Sequence, residues 1–280
     1  MIKVLHPGIY SSIQDLGRFG CAKNGIPIAG VMDQFSSQLG NTLLKNQKSD
    51  AVIEVTYGMA KLEFTSNTFF CITGADFSQK LNDKAIETQK VYKGTKGSVL
   101  SFGKRKYGAR TYIAVQGGIL SERVLNSRSF SLGITPRIRL GKGDMLSIAD
   151  STAFDYKDFT SVQGHENYFF NSELDCFPGP EFDQLNTHQK KRLFDSFTIS
   201  EDNNRVGYRI NEVIENDLDS ILTSAVLPGT VQLTPSGKLI VLMRDGQVTG
   251  GYPRVLQLSD KAISTLSQKI RDDKIRFVLN

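Results

Sequence analysis

Three stretches of the chain carry groups able to bind an anion or polarise an amide. The first is Gln14-Asp15-Leu16-Gly17-Arg18, followed at a short distance by Gly30-Val31-Met32-Asp33. Glycine lets a ligand approach the backbone closely, so Gln14, Asp15, Arg18 and Asp33 read as a rigid anion- or amide-binding loop. The same residues suit a turn closed by an internal Asp15–Arg18 ion pair. The second stretch is Arg205-Val206-Gly207-Tyr208-Arg209. Strand alternation would set Arg205, Gly207 and Arg209 on one face and Val206 and Tyr208 on the other. Two guanidinium groups side by side repel, so that face calls either for a bound phosphate or carboxylate or for acidic neighbours on the surface. The third is 244–253, between the apolar runs 239–243 and 255–258. A hairpin turn needs only about two to five residues. The extra length, with Asp245, Gln247, Thr249, Gly250, Gly251 and Tyr252, is the pattern of a binding loop. Asp245 is placed there either as a base or to hold a neighbour.

Other chemistries lack their residues. No phosphate-binding G-x-x-x-x-G-K-[ST] run and no G-x-S-x-G nucleophile elbow occurs. His6, His165 and His188 are far apart, and Cys21, Cys71 and Cys176 have neither zinc nor disulfide spacing, so no metal site is expected and the thiols read as reduced and mostly buried. The net charge of +5 comes from scattered Lys and Arg whose densest cluster is Lys104-Arg105-Lys106. A surface that tracks phosphates needs a basic stripe, so no nucleic-acid partner is expected. The chain turns at Pro7-Gly8 without an apolar leader and holds no run of membrane-spanning length, from which a cytoplasmic, membrane-free location is expected.

The elements that position these groups are mainly β. Short β-branched and aromatic runs cut by Gly, Asn and Asp predict strands at 52–56, 69–73, 99–102, 112–115, 145–148, 239–243, 255–258 and 275–279. Helices are few: one after Asp33, which caps it, with Phe35, Leu39 and Leu43 on one face; one near 187–194; and one after Ser259 with Ala262, Ile263 and Leu266 on a face. A turn-then-strand pattern recurs at 97–102, 143–148 and 273–277. With a polar stretch at 150–166, it divides the chain into domains 1–160 and 161–280.

Ordered motifs from residue 14 to residue 253 resemble the KipA family, also called the C subunit of 5-oxoprolinase or allophanate hydrolase subunit 2. They are Gln14-Asp15-Leu16-Gly17-Arg18 with Gly30-Val31-Met32-Asp33, Thr73-Gly74-Ala75-Asp76, Ala114-Val115-Gln116-Gly117-Gly118-Ile119 and Pro178-Gly179-Pro180. Arg205-Val206-Gly207-Tyr208-Arg209, Pro228-Gly229-Thr230-Val231-Gln232 and Thr249-Gly250-Gly251-Tyr252-Pro253 follow. The chain departs from the family at Gly246, where an Arg is usual, at Val248, where a Thr is usual, and at Asn204-Arg205-Val206-Gly207, where Asp-Arg-Met-Gly is usual.

The resemblance implies two cyclophilin-like β-barrel domains, related to the carboxyltransferase domain of urea amidolyase. It implies a heteromeric 5-oxoprolinase in which this chain works with a KipI-like subunit and a lactam-hydrolase subunit. ATP, with Mg2+ as its companion ion and shared with one of those partners, would drive opening of 5-oxoproline to glutamate, because a phosphorylated amide oxygen makes the ring carbon electrophilic. In that reading Asp245, Gln247 and Tyr252 are the catalytic set, while Gln14, Asp15, Arg18, Asp33, Arg205, Tyr208, Arg209, Thr249, Gly250 and Gly251 bind substrate or anion. Two alternatives stay open. One is biotin-dependent carboxyl transfer, with biotin carried by another protein because no Met-Lys-Met site is present; the other is a non-catalytic protein that binds a KipI-like kinase inhibitor.

Overall fold

The computed structural model describes residues 1–149 and 167–280. The polar stretch where the sequence places a domain boundary lies outside the described residues. Met1–Arg18 and Ala29–Phe169 form one compact unit, and Phe19–Ile28 and Phe170–Asn280 the other. Assigning residues 19–28 to the second unit is something the division into 1–160 and 161–280 did not contain.

The first unit holds β1 (Ile2–Pro7), β2 (Tyr10–Gln14), α1 (Gln34–Leu43), β3 (Val52–Thr56), β4 (Ala60–Phe64), β5 (Thr68–Asp76), β6 (Lys80–Leu81), β7 (Lys84–Ala85), β8 (Val91–Gly94), β9 (Val99–Ser101), β10 (Tyr107–Val115) and β11 (Met145–Leu146). They make a six-stranded sheet, β11-β1-β4-β9-β6-β7, and a five-stranded sheet, β2-β3-β10-β5-β8. Val4, Leu62 and Leu100 of the first sheet meet Ile13, Ile53, Ile72 and Ile113 of the second in one core. Central strands β5 and β10 are buried on both faces, because α1 covers the side away from that core.

Helix α1 presents an unexpected face. Asp33 caps it as anticipated, but the buried residues are Ser36, Ser37, Gly40 and Asn41, while Phe35 is exposed and Leu39 and Leu43 are half-buried. Close approach is the reason. A Cβ on Gly40 would stand 3.1 Å from Thr73 Oγ1 and 3.2 Å from the Ala114 Cβ, so small residues face the sheet, while half-buried Leu43 packs against the cluster of Val31, Leu44 and Val52 and Phe35 meets the Tyr168 ring.

The chain continues with α2 (Asn167–Phe170), β12 (Glu173–Pro178), α3 (Thr187–Arg192), β13 (Phe197–Asn203), β14 (Gly207–Val213), β15 (Ser224–Ala225), β16 (Thr230–Leu233), β17 (Lys238–Leu242), β18 (Thr249–Gly250), β19 (Arg254–Leu258), α4 (Asp260–Ser267) and β20 (Lys274–Leu279). Seven of these strands close a barrel in the order β12-β19-β16-β17-β14-β13-β20, sealed by the parallel pair β12–β20. Closure leaves the ring without free edges. The small pair β15–β18 stands outside it. Thus the mainly β architecture with few short helices agrees with the sequence; one unit is a closed ring and the other two sheets over a shared core. Among the described residues, no helix is long and apolar enough to cross a membrane. Burial pushes the Cys71 thiol up to about 12 and the Cys176 thiol to about 11, which keeps both protonated at neutral pH.

Candidate functional site

In the first unit, the motif residues hold the backbone. Asp15 accepts from Gly17 N at 2.8 Å, Ser127 Oγ at 2.7 Å, Ser129 Oγ at 2.6 Å and Arg128 N at 2.6 Å. Buried Arg18 donates to the Ser129 carbonyl, so Asp15 and Arg18 clamp the same segment, 127–129. Gln14 is fully buried and donates to Ser12 Oγ at 2.9 Å and to the Phe130 carbonyl at 3.2 Å. Asp33, also fully buried, accepts from Ser36 N at 3.0 Å and Ser36 Oγ at 2.6 Å. The Gly30–Asp33 crossing is held by two buried residues that the sequence did not single out: Glu54 accepts Met32 N at 2.9 Å and Tyr112 Oη accepts Asp33 N at 2.8 Å. Burial, reinforced by the charges of Glu54 and Asp33, raises the Tyr112 phenol well above its ordinary range. A buried cap contributes about 1 kcal/mol, so Asp33→Ala is expected to lower stability by ~1–2 kcal/mol and Asp33→Asn by less, read from urea unfolding.

In the second unit, the expected Arg205–Gly207–Arg209 face does not form. Asn204 Oδ1 accepts Val206 N at 2.8 Å and Gly207 N at 3.2 Å, a side-chain turn that ends β13 and keeps Arg205 out of β14. The Arg205 guanidinium instead grips Asp245, Nε to Oδ2 at 2.8 Å and Nη2 to Oδ1 at 2.9 Å. Asp245 N also donates to the Arg205 carbonyl at 2.8 Å. Arg209 is exposed, 3.7 Å from the equally exposed Asp202, which is the surface ladder of the plainer reading. Tyr208 is fully buried, its hydroxyl donating to the Ser267 and Lys269 carbonyls at 3.4 and 3.3 Å at the end of α4. That position ties β14 to α4.

The 244–253 connection is partly regular structure. Its β18 segment pairs with β15, with Thr249 opposite Ala225 and Gly250 opposite Ser224. Gln247, Thr249 and Tyr252 are exposed, whereas Asp245 turns in toward Arg205. At Gly246 a Cβ would lie 3.0 Å from both the Met243 and Val206 carbonyl oxygens, so this turn is fitted to glycine.

A third arrangement organises the loop and was not visible in the sequence. Arg254 donates from Nε and Nη2 to Glu181 at 2.9 and 2.7 Å, and from Nη1 to Ser224 Oγ at 2.8 Å and the Ala225 carbonyl at 2.9 Å. Hydrogen bonds from Arg254, more than balancing burial, hold the Glu181 carboxyl below its usual range. A Cβ at Gly179 would stand 2.1 Å from the Arg254 carbonyl oxygen, which explains the glycine of the Pro178-Gly179-Pro180 motif beside this pair. The signals were present, since Glu181 and Arg254 directly follow two of the motifs; their pairing across 73 positions was not.

With a closed barrel carrying the Arg205–Asp245 and Arg254–Glu181 pairs, the class of the chain follows from its match to the model of the carboxyltransferase domain, subdomain A and B, over residues 24–279; it belongs to that family. Within it, the chain is 32% identical to the C subunit of 5-oxoprolinase from Escherichia coli (strain K12), over 99% of this chain and 91% of that protein. The corresponding protein of Haemophilus influenzae is 31% identical, over 99% and 90%. A shorter likeness joins it to the urea amidolyase of Lachancea kluyveri, 38% identical over 133 residues, 47% of this chain and 7% of that protein. In fold, it superposes on the crystal structure of TTHA0988 with a TM-score of 0.87 at 24% identity, covering 99% of this chain and 55% of that one. On the Kluyveromyces lactis urea amidolyase the TM-score is 0.88 at 24% identity, covering 99% and 18%. The chain therefore spans about half of the first of these structures and under a fifth of the second.

Proposed function

We propose that this chain is the C subunit of a 5-oxoprolinase, active with a KipI-like subunit and a lactam-hydrolase subunit in the ATP-dependent opening of 5-oxoproline to glutamate. The observation that carries the reading is the end-to-end likeness to the C subunit of the Escherichia coli 5-oxoprolinase, at 32% identity over 99% of this chain and 91% of the relative. The chain's own part is to hold and orient the lactam on the second unit's loops, through Gln247, Thr249 and Tyr252, which face solvent.

The 205–209 motif does not turn two arginines toward one anion. Arg205 is engaged with Asp245, and Arg209 stands exposed beside Asp202 without a second converging cation in its motif. This favours ATP and its Mg2+ residing on a partner, and no step on this chain is routed through them. The cytoplasm is the proposed setting.

The test is release of phosphate and glutamate by the three-subunit mixture, with 5-oxoproline present or omitted. Release that depends on 5-oxoproline is expected; a stable complex without it sinks the reading. Because Arg209 is exposed and loosely paired, Arg209→Ala is expected to leave the melting temperature unchanged. If Arg209 contacts an anionic substrate group, turnover falls roughly tenfold, the scale of one charge-assisted hydrogen bond. Biotin-dependent carboxyl transfer is the second reading, favoured by the urea amidolyase segment at 38% identity. Carboxylation of urea by the chain mixed with a biotinylated carrier and bicarbonate would replace the first reading. Complex formation with neither activity would leave a regulator that binds a KipI-like protein.

A further inference from the structure

Strand β16 is buried along its whole length, yet only half of it belongs to the barrel interior. Alternation sends Val231 and Leu233 one way and Thr230 and Gln232 the other. Thr230 is accounted for by Gln257 Oε1 at 2.8 Å. Gln232 is not. It is 1% exposed, and among the described residues its Nε2 has no hydrogen-bond partner. The group lies beneath β18: a Cβ built on Gly250 would be 2.5 Å from that Nε2, with Val226 Cγ1 3.6 Å away. A side chain at position 250 would have to displace the amide.

The cover is slight. Strands β15 and β18 pair through two residue pairs, continued by Ile221 N to the Gly251 carbonyl at 2.9 Å and Val226 N to the Val248 carbonyl at 3.1 Å. A two-stranded ribbon of this length has little stability of its own, and Arg254 anchors it at Ser224 and Ala225. Closing it over Gln232 leaves a buried donor unmade, a cost that an acceptor oxygen supplied by a ligand would remove. A ligand that pairs with this donor therefore has differential affinity for the occupied site, which is what a ligand needs to shift such a ribbon.

We propose that the Gln232 carboxamide is a substrate-positioning donor for the carbonyl oxygen of an amide or lactam, admitted when the β15–β18 ribbon lifts. A primary carboxamide offers a donor and an acceptor side by side, matching the N–H and C=O that a lactam presents on one edge. The inference deepens the proposed function and rests on it for the identity of the lactam.

Two measurements test it. In the three-subunit mixture, Gln232→Met is expected to raise the KM for 5-oxoproline about tenfold or more while changing kcat less, with a melting temperature equal to or above wild type. Gly250→Ala, which displaces the amide without altering Gln232, is expected to raise KM in the same direction. Independently of turnover, the side-chain NH2 resonances of Gln232 in the 15N-labelled chain, assigned by their loss in Gln232→Met or Gln232→Asn, are expected to move on titration with 5-oxoproline or 2-pyrrolidinone. Unmoved resonances, together with a KM within about twofold of wild type, overturn the inference and make Gln232 a tolerated buried amide. If the wild-type mixture shows no turnover, the proposed function fails and the titration alone decides: a saturable shift with either lactam supports the site, and none overturns it.

Discussion

Replacing Arg205 by alanine is expected to destabilise the second unit by about 3–5 kcal/mol, the cost of leaving one member of an enclosed ion pair behind. Its guanidinium makes two bonds to Asp245, and the two side chains are only 8% and 19% exposed. The melting temperature would fall by roughly 10 °C or more. Asp245→Ala should cost a similar amount, for the guanidinium then lies enclosed without its carboxylate. The double variant Arg205→Met with Asp245→Leu is expected to recover most of the loss, since a matched apolar pair can replace a buried ion pair at little cost. Arg205→Lys is expected to fall between, because an ammonium cannot make the two-pronged contact. Denaturant unfolding of the four proteins checks this; losses that simply add in the double variant would show that the pair is not coupled. The outcome bears on chemistry as well. An Asp245 whose two oxygens are both held by Arg205 fixes the mouth of the 244–253 connection, so the reading of Asp245 as a holder of its neighbour is the one the geometry supports.

Much of the scaffold could be read from local pattern. The predicted strands at 52–56, 69–73, 112–115, 239–243, 255–258 and 275–279 all fall on observed strands, because β-branched alternation between turn residues depends only on near neighbours. The Asp33 cap was equally legible, accepting Ser36 N three residues away, and the helix expected after Ser259 begins at Asp260. What could not be read was whatever depends on a distant partner. That Ser36, Ser37 and Gly40 are buried in α1, and Phe35 is exposed, is set by how closely Gly40 comes to Thr73 and Ala114. Similarly, Arg205 invites a phosphate because its own motif holds no acid, whereas its partner Asp245 comes from 40 positions later. Gln232 lies inside a quoted motif, yet neither its burial nor its missing partner is a property of the motif. The partners within these segments, Arg205 with Asp245 and Glu181 with Arg254, came only from the fold.

The Glu181–Arg254 pair makes a prediction in which stability and access to the Gln232 amide are linked. Glu181→Gln is expected to cost about 3 kcal/mol near neutral pH, since it removes a carboxylate that accepts from Arg254 Nε, Nη2 and N while leaving the cation largely enclosed. The difference from wild type should itself depend on pH, and its sign is set by the lowered carboxyl. A group whose folded pKa lies below its unfolded value of about 4.3 stabilises fully above that value and loses its contribution as pH falls through the folded one. The two proteins should therefore differ most at neutral pH and converge in acid, below roughly pH 4. Asp144 of the first unit is also held low, burial notwithstanding, by Gly141 N and by Arg137, so the quantity to follow is the difference between the two proteins and not the acid limb of either. Hydrogen exchange at Ile221 and Val226, whose amides tie the ribbon to Gly251 and Val248, supplies the local readout. Faster exchange at both in Glu181→Gln, with strands of the first unit unaffected, would show that Arg254 must be held by Glu181 to keep the ribbon down over Gln232. Exchange that is unchanged there despite the loss of stability would place the pair's role in the barrel wall alone.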